Sequence, residues 1–225
     1  MAIIVWMVAF LLERYMAVNR IDELNIDDQK ISYKEYFGEM EISEKEKKDR
    51  IQLAEELEEA FLLLFAMMLQ EDEDVDSCYQ YIDERYCQIA TKYIGAKETP
   101  AYITEYAAYI TDSIVETTAE HMDTDYYVSR DRAMLLSANE ANSIGNYREQ
   151  IEMIKNGYRY KEWRTMKDSR VRHSHVKVDN KKIGIFEHFD VGAAQMMFPR
   201  DTSLGAGAFP EEIVNCRCSL RYTKD

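Results

Sequence analysis

The sequence predicts an α+β fold, a long helical N-terminal region followed by a small antiparallel-sheet domain, and three observations lead there. Apolar side chains recur at helical spacing through most of the first 157 residues. Past Gly157 that periodicity gives way to short strand-like runs punctuated by glycine and proline. The charge balance turns over at the same place: residues 1–157 carry 15 Lys/Arg against 33 Asp/Glu, and residues 158–225 carry 13 against 9. With 46% apolar residues the chain has ample material for a core, and 31% charged residues keep its surface in water. The expected organisation is a helical, partner-docking region over residues 1–122. A second domain over 123–225 combines a helix at 125–155 with a small α+β unit at 158–225. The acidic part should be repelled by nucleic acid and anionic membranes, which leaves the segment 158–182, with nine basic and three acidic side chains, as the place for any such contact.

Residues 2–12 open the chain as eleven apolar side chains, ended by Glu13 and Arg14. No basic segment precedes them and no small-residue cleavage site follows, so a signal peptide is not expected. They fall short of the ~20 residues that span a bilayer. A helix buried by the chain's own core or by a partner is the expectation. Residues 19–40 read as a loop or short helices with an aromatic cluster, Tyr33, Tyr36 and Phe37. Ser43 with Glu46 three residues on forms a capping box, after which Ile51, Ala54, Leu57, Phe61, Leu64 and Met68 recur at helical spacing. The run 60–69 is apolar all round, which makes this helix central or part of an oligomer interface. The acidic cluster 71–76 reads as a solvated turn, since it lacks the spacing and glycine of an EF-hand.

Two further helices are expected at 77–94, stopped by Gly95, and at 100–121, with Thr99 as N-cap and Pro100 at the first helical position. The second faces the core with Ile103, Tyr106, Ala107, Ile110, Ile114 and Thr117, and His121 should cap its C-terminus. The helix at 125–155 closes on Asn156-Gly157. Ser137, Ala138, Ala141, Ser143 and Gly145 give it a slim middle that allows close packing. Glu140 within that segment is either an exposed charge, the preferred reading, or an acid reaching toward the C-terminal unit. Strands are expected within 160–166, 182–186, 195–198 and 213–222, with 168–178 a helix or a turn.

Four cysteines do not make a disulfide scaffold in a chain of this length. Cys78 and Cys87 point about 180° apart on one helix, and Cys216 and Cys218 are too close for an unstrained bridge within one strand. A reducing compartment is inferred.

The unusual residue choices concentrate in two places. Lys161-Glu162-Trp163 is followed by Asp168-Ser169-Arg170-Val171-Arg172-His173-Ser174-His175, and both are answered by Asn215-Cys216-Arg217-Cys218. This ordered set resembles the phage Mu F-like head morphogenesis, or minor head protein, family. There a Trp, an Asp-x-Arg-x-Arg-x-x-His run and a closing Asn-Cys-Arg-Cys define the C-terminal domain. The resemblance covers roughly residues 125–225, including the lead-in helix with Glu140 and Asn142. Its structural positions are Trp163, Asp168, Arg170, Arg172, His175, Asn215, Cys216, Arg217 and Cys218. The resemblance implies a minor structural protein of tailed-phage or prophage heads, associated with the portal and assisting head assembly, DNA packaging or ejection. Such a protein would reside in the host cytoplasm during assembly and then in the virion head. One departure is that the glycine usual a few residues after the histidine is replaced by Asp179-Asn180, which still serves as a turn.

Two chemical readings of these residues stand side by side. His175, Cys216 and Cys218 supply three good zinc ligands, with His173, Asp168 or His188 as a fourth. If 168–178 is a strand, His173 and His175 share a face; if it is a helix they sit about 200° apart and only one can join. The preferred alternative needs no metal: Asp168, Arg172 and His175 form a charge-assisted network while the cysteines fill a small core. Catalysis is not expected, because no glycine-rich oxyanion turn frames either cysteine and no carboxylate cluster is present to hold Mg²⁺. A toxin-like nuclease or transferase remains the enzymatic alternative. A nucleic-acid-binding module would use Arg164, Lys167, Arg170, Arg172 and Lys177 on phosphates, unless these basic groups pair with the acidic helical region or a neighbouring subunit.

Overall fold

The structure, a computed structural model, describes residues 32–70 and 74–225. The apolar run at 2–12, expected as a buried helix, lies outside the described residues, as do residues 71–73 of the acidic stretch. The α+β order is as expected. Helices α1 (Tyr33–Gly38), α2 (Glu44–Met68), α3 (Val75–Ile94), α4 (Ala101–Glu120) and α5 (Arg130–Lys155) come first. They are followed by β1 (Tyr160–Arg164), α6 (His173–Val178), β2 (Lys182–Gly184), β3 (Phe189–Val191), β4 (Ala194–Met196), α7 (Pro210–Ile213) and β5 (Ser219–Thr223). Among the described residues one compact unit takes 55–137, and the other takes 32–54 together with 138–225. The boundary expected at 122/123 falls inside the first of these. No helix among the described residues is long and apolar enough to cross a membrane.

The first unit is helical. Phe61, Leu64 and Phe65 of α2, Ile82, Tyr86 and Ile89 of α3, and Ile103, Tyr106 and Ile114 of α4 are all buried. Gly95 ends α3 in the left-handed conformation, φ 74°, and its N–H bonds back to Lys92 and Thr91. The start of α4 differs by one residue from the expectation: Pro100 is the N-cap, extended at ψ 142°, and its carbonyl accepts from Ile103 and Thr104. Thr99 sits one step outside and shares a 2.9 Å hydroxyl contact with Thr91. On the core face Thr118 replaces the expected Thr117, and its buried hydroxyl donates to the Ile114 carbonyl.

The helix expected from residue 125 begins at Arg130 instead. Asp125–Val128 forms a 3₁₀ turn, Ser129 is extended at ψ 159°, and the Ser129 hydroxyl accepts the Arg132 N–H at 3.2 Å. A side-chain N-cap won over continued helix. Arg132 is buried, donates to Thr118 Oγ1 at 2.6 Å, and lies over the Phe65 and Tyr127 rings at 5.1 and 5.0 Å. Burial lowers its pKa to about 10.

The second unit carries the sheet. Strands run antiparallel in the order β2-β1-β5, with Trp163 opposite Leu220 and Lys161 opposite both Ile183 and Tyr222. β3 and β4 form a separate hairpin around Gly192, φ 61°. The strands are shorter than expected, and β3 was not foreseen because His188 and Asp190 break its apolar run. The expected strand at 213–222 is corrected: α7 occupies its start, Asn215 turns the chain at φ 56°, and pairing begins only at Ser219. Asp179-Asn180 makes the expected turn, with Asn180 at φ 62°. Gly157 closes α5 at φ 74°, and Tyr158 N–H reaches back to Met153.

Helix α1 belongs to this unit through buried Tyr36 and Phe37. Its start is a full capping box. Ser32 Oγ accepts the Glu35 N–H at 3.2 Å, and Glu35 accepts the Ser32 N–H at 3.1 Å. At Ser43, the hydroxyl accepts the Glu46 N–H at 3.1 Å as expected, while the Glu46 carboxylate also takes Arg50 Nε at 2.9 Å.

Candidate functional site

The residues that set this sequence apart converge inside the second unit, under the sheet. Trp163 on β1 is fully buried and meets Phe189 and the His175 ring edge-on, at centroid distances of 5.1 and 5.7 Å. Residues 173–178 are helical, so His175 points into the core while His173 is exposed. Cys216 and Cys218 alternate onto one face of the extended segment leading into β5, and both are buried and free. The result is a compact triad. His175 Nδ1 lies 3.4 Å from Cys218 Sγ and 3.5 Å from Cys216 Sγ, and the three donor atoms all fall within 4.8 Å of one another.

The opposite ring nitrogen, His175 Nε2, lies 3.1 Å from Glu212 Oε2, which also accepts from Ser174 Oγ at 2.6 Å. Glu212 is buried at the end of α7, where Gly192 makes room for it. A Cβ at Gly192 would lie 2.0 Å from Glu212 Oε1. Burial pulls the His175 pKa down, but the hydrogen bond and charge of Cys216 outweigh it and hold the imidazole above its usual range. Hydrogen bonding from Cys218, then from His175, holds the Cys216 thiol well below its usual value, and Cys218 is pushed up in turn. The Trp163 ring nitrogen, buried and without an oxygen or nitrogen acceptor among the described residues, sits against the Cys218 sulfur.

The charged members of the motif divide differently from the expected network. Asp168 does not join Arg172 and His175. It takes Arg217 NH2 on both oxygens, at 2.9 and 2.7 Å, and the Arg170 N–H at 3.0 Å. Burial alone would raise the Asp168 pKa, and the Arg217 and Arg170 contacts lower it below the usual value. Arg172 donates instead to the Val214 carbonyl. Period-two alternation explains the split, since Arg217, between the two cysteines, must point away from them.

A supporting layer, of which the sequence marked only Asn142, holds the cysteine segment in place. Asn142 on α5 donates to the Cys216 and Cys218 carbonyls at 3.2 and 3.1 Å, and Asn146 donates to Cys218 and Pro199 at 3.2 and 3.3 Å. Asn139 donates to the Asn215 side chain at 2.7 Å and accepts Tyr36 OH at 2.7 Å. Arg50, fully buried, feeds the acceptor sides of Asn142 and Asn146 and pairs with Glu46 and Glu149. Its guanidinium lies directly on Gly145, where a Cβ would be 2.3 Å from Nε, so the slim middle of α5 exists to admit this arginine. Glu140 corrects the preferred reading of an exposed charge. It is 1% exposed and ion-paired with Arg200, which also donates to Ser143 Oγ and to the Ile213 carbonyl. An exposed placement failed because nothing in the local sequence marks Arg200, sixty positions away, as its partner.

Of the other candidate metal ligands, His173 is exposed, Asp168 is held by Arg217, and His188 lies near Asp190 at 3.6 Å. Among the basic candidates Arg164 is buried on β1 against Glu41, Glu162 and Asn180, and Lys167 pairs with Glu41 at 2.8 Å. Arg170 and Lys177 are exposed.

Comparison with known proteins places this constellation. The profile of the family described as Phage Mu protein F like protein matches residues 103–221, a span that contains every member of the cluster. No curated protein and no solved structure matches the chain.

Proposed function

The chain belongs to the phage Mu protein F-like family, a family of phage head morphogenesis proteins, and from that premise we propose that it is a minor head protein associated with the portal. In this reading it is made in the host cytoplasm, assembles with portal or other head proteins, and remains in the virion head, assisting assembly, DNA packaging or ejection. The observation that carries it is the family match across 103–221, and the inward turn of the signature residues supports it. Trp163, His175, Cys216 and Cys218 are all buried within one core, which suits a rigid module for assembly better than an open reaction centre.

A nuclease or transferase draws less support, because the Cys216 thiol is enclosed beside His175 and Cys218. Contact with phage DNA would fall to exposed groups, Lys177 and Arg170, the latter also facing Asp168 at 3.4 Å, since Arg164 is buried and Lys167 pairs with Glu41 at 2.8 Å.

The test is an in-frame deletion in the phage or prophage that encodes the chain, with mass spectrometry of purified particles. Expected are wild-type particles carrying the chain in sub-stoichiometric amount relative to the major shell protein, and mutant particles with defective heads or reduced infectivity. Fully infective mutant particles, or wild-type particles without the chain, would refute the proposal.

A further inference from the structure

We propose that His175 Nδ1, Cys216 Sγ and Cys218 Sγ together bind a zinc ion, with its fourth coordination position open to the small cleft beside Arg170 and Asn215. Tetrahedral zinc with sulfur at about 2.3 Å and nitrogen at about 2.0–2.1 Å sets the nitrogen–sulfur edges of its polyhedron at about 3.5 Å. The two edges in this structure are 3.4 and 3.5 Å. Hydrogen bonds gathered on the Cys216 sulfur also close the triangle, but they leave the Nδ1 lone pair and the Cys218 sulfur without a shared partner. A cation on that lone-pair direction meets both sulfurs at once.

The surroundings fit the same assignment. The other imidazole nitrogen is committed to Glu212, the carboxylate–histidine arrangement that orients a ligating ring and fixes its tautomer. Glu212 is itself anchored by Ser174, and a Cβ at residue 192 would meet its carboxylate and push it from this place. The Trp163 N–H against Cys218 is placed to donate to a thiolate, and an orphaned indole donor is otherwise costly. The cleft holds ≈ 20 Å³, room for one water as fourth ligand, and among the described residues no other His, Cys, Asp or Glu joins the three. Two sulfurs and an imidazole favour a soft or borderline ion over Mg²⁺ or Ca²⁺. On binding, both thiol protons leave to solvent, Nδ1 gives its lone pair to the metal, and Nε2 keeps its proton toward Glu212.

The experiment uses the full chain, reduced and freed of metal, then titrated with Zn²⁺ and separately with Co²⁺. Expected are about one tightly held ion per chain and, for Co²⁺, thiolate charge-transfer bands with the visible bands of a tetrahedral site. Cys218→Ser should abolish the charge-transfer bands or weaken them sharply. Glu212→Gln, which keeps the volume and leaves the ligands in place, should reduce affinity about 10–100-fold with far-UV circular dichroism unchanged. His188→Gln should change nothing. Absence of metal uptake by the reduced, folded chain overturns the proposal, as does uptake indifferent to both Cys218→Ser and Glu212→Gln, which would mark binding by surface carboxylates. If Cys218→Ser fails to fold, the affinity of Glu212→Gln decides alone.

Discussion

Among single residues, Arg200 carries the most consequence. It holds a left-handed conformation at φ 71°, unusual for a side-chain-bearing residue, and is kept there by Glu140, Ser143 and the Ile213 carbonyl. Arg200→Met would leave Glu140 charged and buried, and should destabilise by about 3–5 kcal/mol. Adding Glu140→Leu should recover a large part of that loss, and urea unfolding of both variants checks the pair. Lys161 offers a pH test. It is buried on β1 with Nζ donating to the Met197 carbonyl at 2.7 Å, and burial, partly countered by Asp201, lowers its pKa from 10.5 to about 8. Between those values the unfolded chain holds a proton that the folded chain has released, so this group's contribution to stability rises with pH. Below pH 8 the cost of burying the charge is present in full. Lys161→Met removes that slope, so its stability relative to wild type should be highest near pH 7 and fall toward pH 10, as read from urea midpoints. Arg200 did not stand out in the sequence, and Lys161 did so only as part of the Lys161-Glu162-Trp163 run, not as a buried cation. A basic residue looks solvated in sequence, and its burial depends on acceptors many residues distant.

At the scale of elements, α5 does more than lead into the sheet. Asn139, Asn142, Ser143, Asn146 and Gln150 lie three, four and seven apart and so share one helical face, and all five are buried. That face reads backbone: the carbonyls at Pro199, Cys216 and Cys218 take the two asparagines, and Gln150 donates to Ile185 O at 2.9 Å. Asn142→Leu should orphan the Cys216 carbonyl, leave the Cys218 carbonyl to Asn146 and take one acceptor from Arg50, and so destabilise by roughly 1–3 kcal/mol. Gly145→Ala should also destabilise, by about 1–3 kcal/mol, because four partners on Arg50 prevent it from yielding to a methyl group. Thermal or urea unfolding measures both. The spacing of the amides was visible in the sequence, but a polar stripe on a helix reads as a solvated face until its acceptors are known. The long helices α2 to α5 were legible, since period and breakers are local signals, whereas 168–178 stayed open between helix and turn and the short α7 carried no periodic signal. Boundaries slipped where a single side chain decided them, as Ser129 did for α5. The strand expected at 213–222 failed because Asn215 takes a left-handed turn that an apolar run does not announce.

For the whole molecule, the charge reversal near Gly157 was legible, and so was the meeting of the Trp163, His175 and Cys-x-Cys segments. What composition could not reveal is how the second unit is assembled from separate stretches. Residues 158–225 read as a small α+β unit attached to a helix at 125–155, and the structure joins that unit to 138–157 and also to 32–54. Without those stretches Arg200 would lose Glu140 and Ser143, Arg164 would lose Glu41, Asn215 would lose Asn139, and the cysteine carbonyls would lose Asn142 and Asn146. A unit of about 65 residues has little surplus burial to set against so many orphaned groups. The fragment 158–225 expressed alone should therefore show poorly dispersed amide resonances and no cooperative thermal transition. Adding 138–157 should improve it only in part, because Glu41, Arg50 and Tyr36 come from the earlier stretch. A cooperative, well-dispersed fold for 158–225 alone would show that the sheet and its buried cluster stand without α5, and would remove the physical basis for assigning that helix to the site.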